Sequence, residues 1–226
     1  RQLRAGNRPA VMDSQNRSLE FALVLTIPAA IALAIAAEPI IAVLFQRAAF
    51  TAADTVSTAW ALRAFAIGLP AFVLIKVFQP AFFAREDTRT PMRLALVNMV
   101  VNVALSLILF YAFKQAGWMP HVGIAVATSI AGWLNALLLW WHLARAGDFR
   151  SDARLARNLP IVIIASLAMG AALWTAMPHL APHLADSAPL WARIAGLGAL
   201  VLGGAVVFFA IVTVTGVLRL SMIRRA

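Results

Sequence analysis

"IKVFQPAFFAREDTRTPMR", residues 75–93, decides the class of this protein, because it begins as apolar as lipid and ends in a dense run of charge. Lys76 and Pro80 interrupt the apolar part, and Arg85, Glu86, Asp87, Arg89 and Arg93 then follow within about two helical turns. A soluble amphipathic helix spreads its charges along one face. Charges bunched at one end mark a boundary between two solvents, hydrocarbon and water.

The composition says the same of the whole chain. Of its 226 residues 62% are hydrophobic and only 12% charged, with a mean hydropathy of +0.85. Soluble domains run closer to about half apolar and about a quarter charged. A chain this apolar cannot cover itself with polar surface, so lipid must be part of its solvent. The absence of cysteine excludes disulfides and thiolate metal sites. A net charge of +10 raises the question of nucleic acid. The arginines, however, fall in short clusters between apolar runs, the distribution that orients membrane segments and meets anionic headgroups, so no nucleic-acid partner is expected. Residue 1 is Arg, and no signal segment precedes the first apolar run, which reads as a piece of a longer protein.

A transmembrane helix needs roughly 20 predominantly apolar residues. Six stretches qualify: Leu19–Ala37, Trp60–Phe83, Met92–Phe113, Val122–Ala144, Leu159–Met177 and Trp191–Leu218. Glu38-Pro39 ends the first, and Ile40–Phe45 reads as a short re-entrant or interfacial helix. Pro28 and Pro70 lie inside spans and should kink them. Arg1, Arg4, Arg8 and Arg17 precede the first span; Arg85, Arg89 and Arg93 follow the second; Arg145, Arg150, Arg154 and Arg157 follow the fourth; Arg219, Arg224 and Arg225 follow the sixth. The alternate connectors carry Arg47 and Lys114. By the positive-inside rule the fold is all-α, a polytopic transmembrane helix bundle of six spans with both termini cytoplasmic. Trp60, Trp118, Trp140, Trp141 and Trp191 sit near span ends, as interfacial anchors do.

Ionisable groups at membrane depth are costly and face a cavity, a partner or the headgroups. Lys76 therefore has two readings, a snorkelling stem or a cation lining a cavity for an anionic substrate. Arg63, one turn inside the opposite end of the same span, is an interfacial charge or a second translocation residue. Asn98 and Asn102 share a face of the third span with Ser106, while Thr128, Ser129 and Asn135 occupy the fourth. Such a row is interhelical glue or an oxygen site for a small cation. His121, His142, His179 and His183 form no ligand set, and Pro178 and Pro182 argue for a loop around the last two. Gly196, Gly198, Gly203 and Gly204 suggest close helix approach rather than a phosphate loop. With no nucleophile–base set and no carboxylate pair within a span, the chain is not expected to be an enzyme. An intramembrane transferase would have only Lys76 to work with.

Gly68–Arg93, GLPAFVLIKVFQPAFFAREDTRTPMR, resembles the most characteristic segment of the MurJ/MviN family, the lipid II flippases of bacterial peptidoglycan synthesis. That family lies within the multidrug/oligosaccharidyl-lipid/polysaccharide exporter superfamily. The matching features are a mid-span Gly-Leu, Lys76-Val77, Pro80, the Phe82-Phe83 pair and Arg85-x-Asp87-Thr88-Arg89-Thr90-Pro91. LFQRAAFTAADT (44–55) and VGIAVATSIAGWLNALLLWWHLAR (122–145) match as well, and the resemblance runs from about Arg17 to the C-terminus.

The resemblance implies a fourteen-helix transporter of which this chain holds the last six helices. Residues 1–18 would be a cytoplasmic segment and 19–144 four spans closing the C-terminal lobe. Residues 145–158 would be a cytoplasmic loop, and 159–226 an extra pair of spans with a short cytoplasmic tail. Implied partners are lipid II (the undecaprenyl-pyrophosphate-linked precursor), membrane lipids and the missing N-terminal half, in the bacterial inner membrane. Lys76 would meet phosphate, with Arg63 a second substrate-path residue, and Arg85, Asp87 and Arg89 would gate or brace a cytoplasmic loop. No organic cofactor is implied, only a coupling cation, sodium or proton. Asn98, Asn102, Ile124 and Thr128 fall where some members bind sodium, but Asn102 stands where those members have Asp, which removes charge from the site. The alternatives are another exporter of the superfamily, for O-antigen lipids or drugs, or a non-transporting scaffold or subunit.

Overall fold

A computed structural model of the chain describes residues 8–147, 149, 152–185 and 187–217. Arg1, Arg4, Arg150, Arg219, Arg224, Arg225 and Leu218, the expected end of the last span, lie outside the described residues. Among those described there are seven helices and no strand: α1 (Arg8–Ile35), α2 (Ala37–Phe45), α3 (Ala52–Phe83), α4 (Arg89–Gln115), α5 (Pro120–Arg145), α6 (Ala153–Leu184) and α7 (Leu190–Val214). All but α2 are long and apolar enough to cross a membrane. The expected short helix Ile40–Phe45 is part of α2, which starts at Ala37, takes in Glu38-Pro39 and is separated from α1 by a bend at Ala36.

Most of the helices outrun the apolar stretches, but α1 and α7 stop short of the expected ends, at Ile35 against Ala37 and at Val214 against Leu218. α3 and α6 have 32 residues each, about 48 Å at 1.5 Å per residue, against about 30 Å of hydrocarbon. The α6 extension corrects one expectation: His179 and His183 lie inside the helix, which continues through Pro178 and Pro182 instead of yielding to a loop. Each proline deletes one N–H donor, yet the helical bonds on either side carry α6 past the expected span end at Met177 to Leu184.

The chain divides into two compact units, each drawn from separate stretches. One comprises residues 1–26 and 67–159. Here α5 is the hub: 56% of its most apolar window is buried, against 6% for α4. Gly123, Ala127, Ala131 and Asn135 recur every fourth residue on its buried face. A Cβ on Gly123 would meet the Leu109 carbonyl oxygen at 2.6 Å, so α4 and α5 approach backbone to backbone. Gly68 of α3 likewise lies against Ser129, and Phe72 of α3 fills the space beside Gly132.

The other unit comprises residues 27–66 and 160–226. The buried residues of α7, Ala192/Arg193, Gly196, Leu200, Gly204, Phe208 and Val212, form a stripe of period four. Gly204 sits on Leu173 and Gly196 on His183 and Leu184, the close approach that the glycines suggest. Gly198 and Gly203 have no atom within 4 Å of where a Cβ would stand, so for them the close-approach expectation fails. Ala37 and Ile41 of α2 pack on Ala59 of α3. Away from these faces the helices expose large apolar side chains, among them Leu202, Val206 and Val214 of α7, as lipid-facing surfaces do.

Candidate functional site

Lys76 stands on α3, one turn before Pro80, with its side chain exposed. Among the described residues it has no hydrogen-bond or ion-pair partner. An unpaired ammonium in an apolar helix is the group a membrane protein keeps for a purpose or lets snorkel. The charged connector lies about 13 Å further along the axis. There α3 ends in a paired turn: Asp87 N–H donates to Phe82 O at 3.1 Å and Glu86 N–H to Phe83 O at 3.0 Å. Glu86 takes a left-handed conformation with φ 62° to close it. The same closure follows α4 at Gly117 and α7 at Gly216, where glycine carries the positive φ without cost.

Asp87 then starts α4. Its Oδ1 accepts the Thr90 N–H at 3.0 Å. That bond first, then the Thr90 hydroxyl, with the charge of Arg85 last among the favourable causes, holds its carboxyl below the ordinary carboxylate range. A lowered pKa means that this cap stabilises the connector at neutral pH and is lost as pH falls through the folded-state value. The Arg89 side chain is exposed and has no partner among the described residues, while its backbone N–H faces the Asp87 carboxylate. Lys76, Arg85, Asp87 and Arg89 thus belong to one unit, along one helix end and its connector.

Arg63 belongs to the other unit. Its Nε donates to Ala34 O at 3.3 Å, its guanidinium lies 4.8 Å from the Trp60 ring centre, and its Nη2 is 3.6 Å from Glu38 Oε2. The Glu38 carboxylate, 25 residues upstream and across the bend at Ala36, is a neighbour that sequence spacing did not suggest.

Asn102 and Thr128 do come together. The Thr128 hydroxyl lies 2.9 Å from Ile124 O and 3.4 Å from Asn102 Oδ1, so its single proton goes to Ile124. Ser106 Oγ donates to Asn102 Oδ1 at 3.3 Å. Asn98 Oδ1 is buried without a hydrogen-bond partner among the described residues. Oxygen donors of this kind suit a hard cation such as sodium, but all are neutral. The cluster fits a cation by donor type and supplies no charge to offset its dehydration.

Three residues make polar contacts that were not foreseen. Glu20 of α1 accepts from Asn158 Nδ2 and pairs with Arg154 Nε at 3.2 Å, tying α1 to α6. The only signal was an acidic residue at a span end, since its partners come more than a hundred residues later. Trp133 Nε1 donates to Ile67 O at 2.9 Å, next to the carbonyl that Pro70 leaves without a donor. Arg193 is buried, with Nη2 on Ala42 O at 2.9 Å.

The chain matches the sequence model of the family described as "Lipid II flippase MurJ" over residues 1–187. It is 45% identical over its whole length to a protein of Rhizobium meliloti (strain 1021) named "Probable lipid II flippase MurJ", of which it covers 41%. It is 32% identical over 86% of its length to a protein of the same name from Rickettsia prowazekii (strain Madrid E), covering 37% of that protein. A solved structure titled "Lipid II flippase MurJ, inward closed conformation" superposes with a TM-score of 0.72 over 93% of this chain and 40% of that one, at 23% identity, which shows a shared fold. The chain therefore spans about two-fifths of the length of the curated relatives it matches.

Proposed function

Because the chain belongs to the lipid II flippase MurJ family, as its match over residues 1–187 shows, we propose that it is the C-terminal part of a transporter that moves the undecaprenyl-pyrophosphate-linked precursor across the bacterial inner membrane. Six apolar helices make it a multi-pass membrane protein. The observation that carries the reading is Lys76, an exposed and unpaired ammonium in an otherwise apolar stretch of α3.

A disaccharide-pentapeptide head with its pyrophosphate cannot cross hydrocarbon unaided, because its charges would lose their hydration at a cost of roughly tens of kcal/mol. A water-filled cavity lined by cations replaces part of that hydration while the polyprenyl tail stays in lipid. Lys76 meets a phosphate oxygen there; Arg85, Asp87 and Arg89 brace the connector that opens and closes toward the cytoplasm as two lobes rock around the site. No bond is made or broken in the cargo, so this is transport without enzyme chemistry. The N-terminal half of the transporter supplies the facing wall, and membrane lipids surround both.

Both termini are cytoplasmic, as the arginine-dense connectors require. Driving force comes from a coupling cation, sodium or proton. The oxygens of Asn98, Asn102, Ile124 and Thr128 would hold sodium only with an anionic ligand from elsewhere, and the ion would supply the bias between the two states.

The test is rescue of a flippase-depleted strain by the full-length protein carrying Lys76→Ala. A phosphate–ammonium contact at about 4 Å contributes about 1 kcal/mol in water and about 4 kcal/mol at an effective dielectric of about 20, so flipping should fall about fivefold or more with insertion intact. Lys76→Arg should restore part of it. Full rescue by Lys76→Ala removes Lys76 from the path.

A further inference from the structure

The unit of residues 27–66 and 160–226 holds a cavity of about 560 Å³ walled by α1, α2, α3 and α6. Cavities of about 300–1,000 Å³ hold small-molecule ligands. Its polar lining includes Glu38, Gln46 and Arg63; its apolar lining includes Trp174, Met177 and Leu184. Glu38 and Arg63 are the only charged groups on that lining among the described residues.

The pair is open. At 3.6 Å the two charges attract but share no hydrogen bond. Arg63 commits its Nε to Ala34 O, and its terminal nitrogens donate to no acceptor within hydrogen-bond distance among the described residues. The Glu38 carboxylate accepts no hydrogen bond there either. Thr55 holds the Gln46 side chain by donating to its Oε1 at 2.9 Å, so that wall is fixed. Arg193 lies behind the lining, bonded to Ala42 O and only 8% exposed. A cation and an anion side by side, each with hydrogen-bonding capacity left over, do not complement an anion, which Glu38 would repel, nor a cation, which Arg63 would. They complement a ligand carrying both charges.

We propose that this cavity binds a zwitterionic phospholipid with a primary ammonium, the phosphoethanolamine head. Its phosphate takes the Arg63 terminal N–H groups and its ammonium the Glu38 carboxylate, with two methylenes between them. Trp174, 69% exposed, and Met177 and Leu184 take the glycerol and first chain methylenes, since an aromatic ring at the headgroup level is apolar on one side and wet on the other. A choline head would offer no N–H to Glu38. This site requires only that the chain sit in a bilayer, not that it carry any particular cargo.

The test is binding of dioctanoyl phosphatidylethanolamine, phosphatidylcholine and phosphatidylglycerol to the purified full-length protein by native mass spectrometry. The wild type should bind the ethanolamine lipid about tenfold more tightly than the glycerol lipid, because Glu38 accepts a charge-assisted hydrogen bond from the ammonium of the first and repels the uncompensated phosphate of the second. Glu38→Gln should abolish or invert that ratio, because removing the carboxylate favours the anionic lipid. Ala181→Leu, which narrows the cavity without touching either charge, should weaken binding of the ethanolamine lipid, and it decides the matter if Glu38→Gln does not fold. Equal wild-type binding of the three lipids, an unchanged ratio in Glu38→Gln, or undiminished binding in Ala181→Leu overturns the site. So does free phosphoethanolamine binding as tightly as the lipid. No transport is read, so the outcome is independent of the Lys76 experiment.

Discussion

Replacing Gly123 by Ala tests the contact on which the α4–α5 pair is built. The new methyl group would stand 2.6 Å from Leu109 O, 2.8 Å from Leu109 C and 3.1 Å from Phe110 N. These are backbone atoms of α4 and cannot turn aside as a side chain can. Restoring the ordinary lower limit of 3.4 Å requires the two helices to separate locally by about 0.8 Å, the difference between 3.4 and 2.6 Å. Overpacking of this kind costs about 1–3 kcal/mol, and the better helix propensity of Ala returns up to about 1 kcal/mol. The net is a loss of about 1–2 kcal/mol. The movement also strains the link between Thr128 and Asn102, already 3.4 Å long. Gly198→Ala is the control, since no atom lies within 4 Å of its added methyl and only the improved propensity remains. The two variants should therefore differ by about 2 kcal/mol, or about 2–3 °C, since the shift of about 2–4 °C per kcal/mol for a chain of this size shrinks in proportion to length and this chain is 41% of its relative. Thermal unfolding of the purified full-length protein in detergent, followed by circular dichroism, reads that difference. A Gly123→Ala protein that melts at or above Gly198→Ala refutes the backbone-to-backbone contact.

Glu20→Ala should lower stability by about 1–2 kcal/mol, the value of charge-assisted hydrogen bonds discounted because Arg154 is 41% exposed, and Glu20→Gln by less; equal melting of all three proteins would mean that the α1–α6 tie contributes nothing. Glu86→Gly should raise stability by up to about 1 kcal/mol, because Glu86 holds a left-handed turn that glycine adopts freely at Gly117 and Gly216, and a lower melting temperature would show that the Glu86 side chain supplies a compensating contact.

Hydropathy carried the helices because each span must satisfy its own backbone and present apolar groups to lipid, so each is announced locally. Leu19, Met92 and Trp191 mark where apolar sequence begins, yet α1, α4 and α7 start at Arg8, Arg89 and Leu190. For α1 the gap is eleven residues, from 8 to 19, because a helix already nucleated continues into water when nothing stops it. Pro178 and Pro182 misled for a related reason: each removes one N–H donor, but the turns on either side carry the helix through to Leu184. The division into two discontinuous units left no trace in hydropathy, because it depends on which faces pack and not on how apolar they are.

The candidate site was legible in proportion to how local its chemistry is. Lys76 stood out because an ammonium in an apolar run is costly wherever the chain goes, and a single residue suffices to show it. Asn102 and Thr128 were singled out by the family resemblance, since spacing alone put them on two adjacent spans together with Ser106, Ser129 and Asn135 as equal candidates. Glu38 and Arg63 resisted, since their approach is set by the bend at Ala36 and by the connector between α2 and α3, where Ala48 adopts a left-handed φ of 52°. Shift that turn by one residue and Glu38 points elsewhere along α2, about 100° around the helix. A charge pair that depends on a turn is invisible to spacing rules. For the same reason it can be held at 3.6 Å, too long to hydrogen-bond and near enough to share one zwitterion, where a pair within a single helix would close on itself.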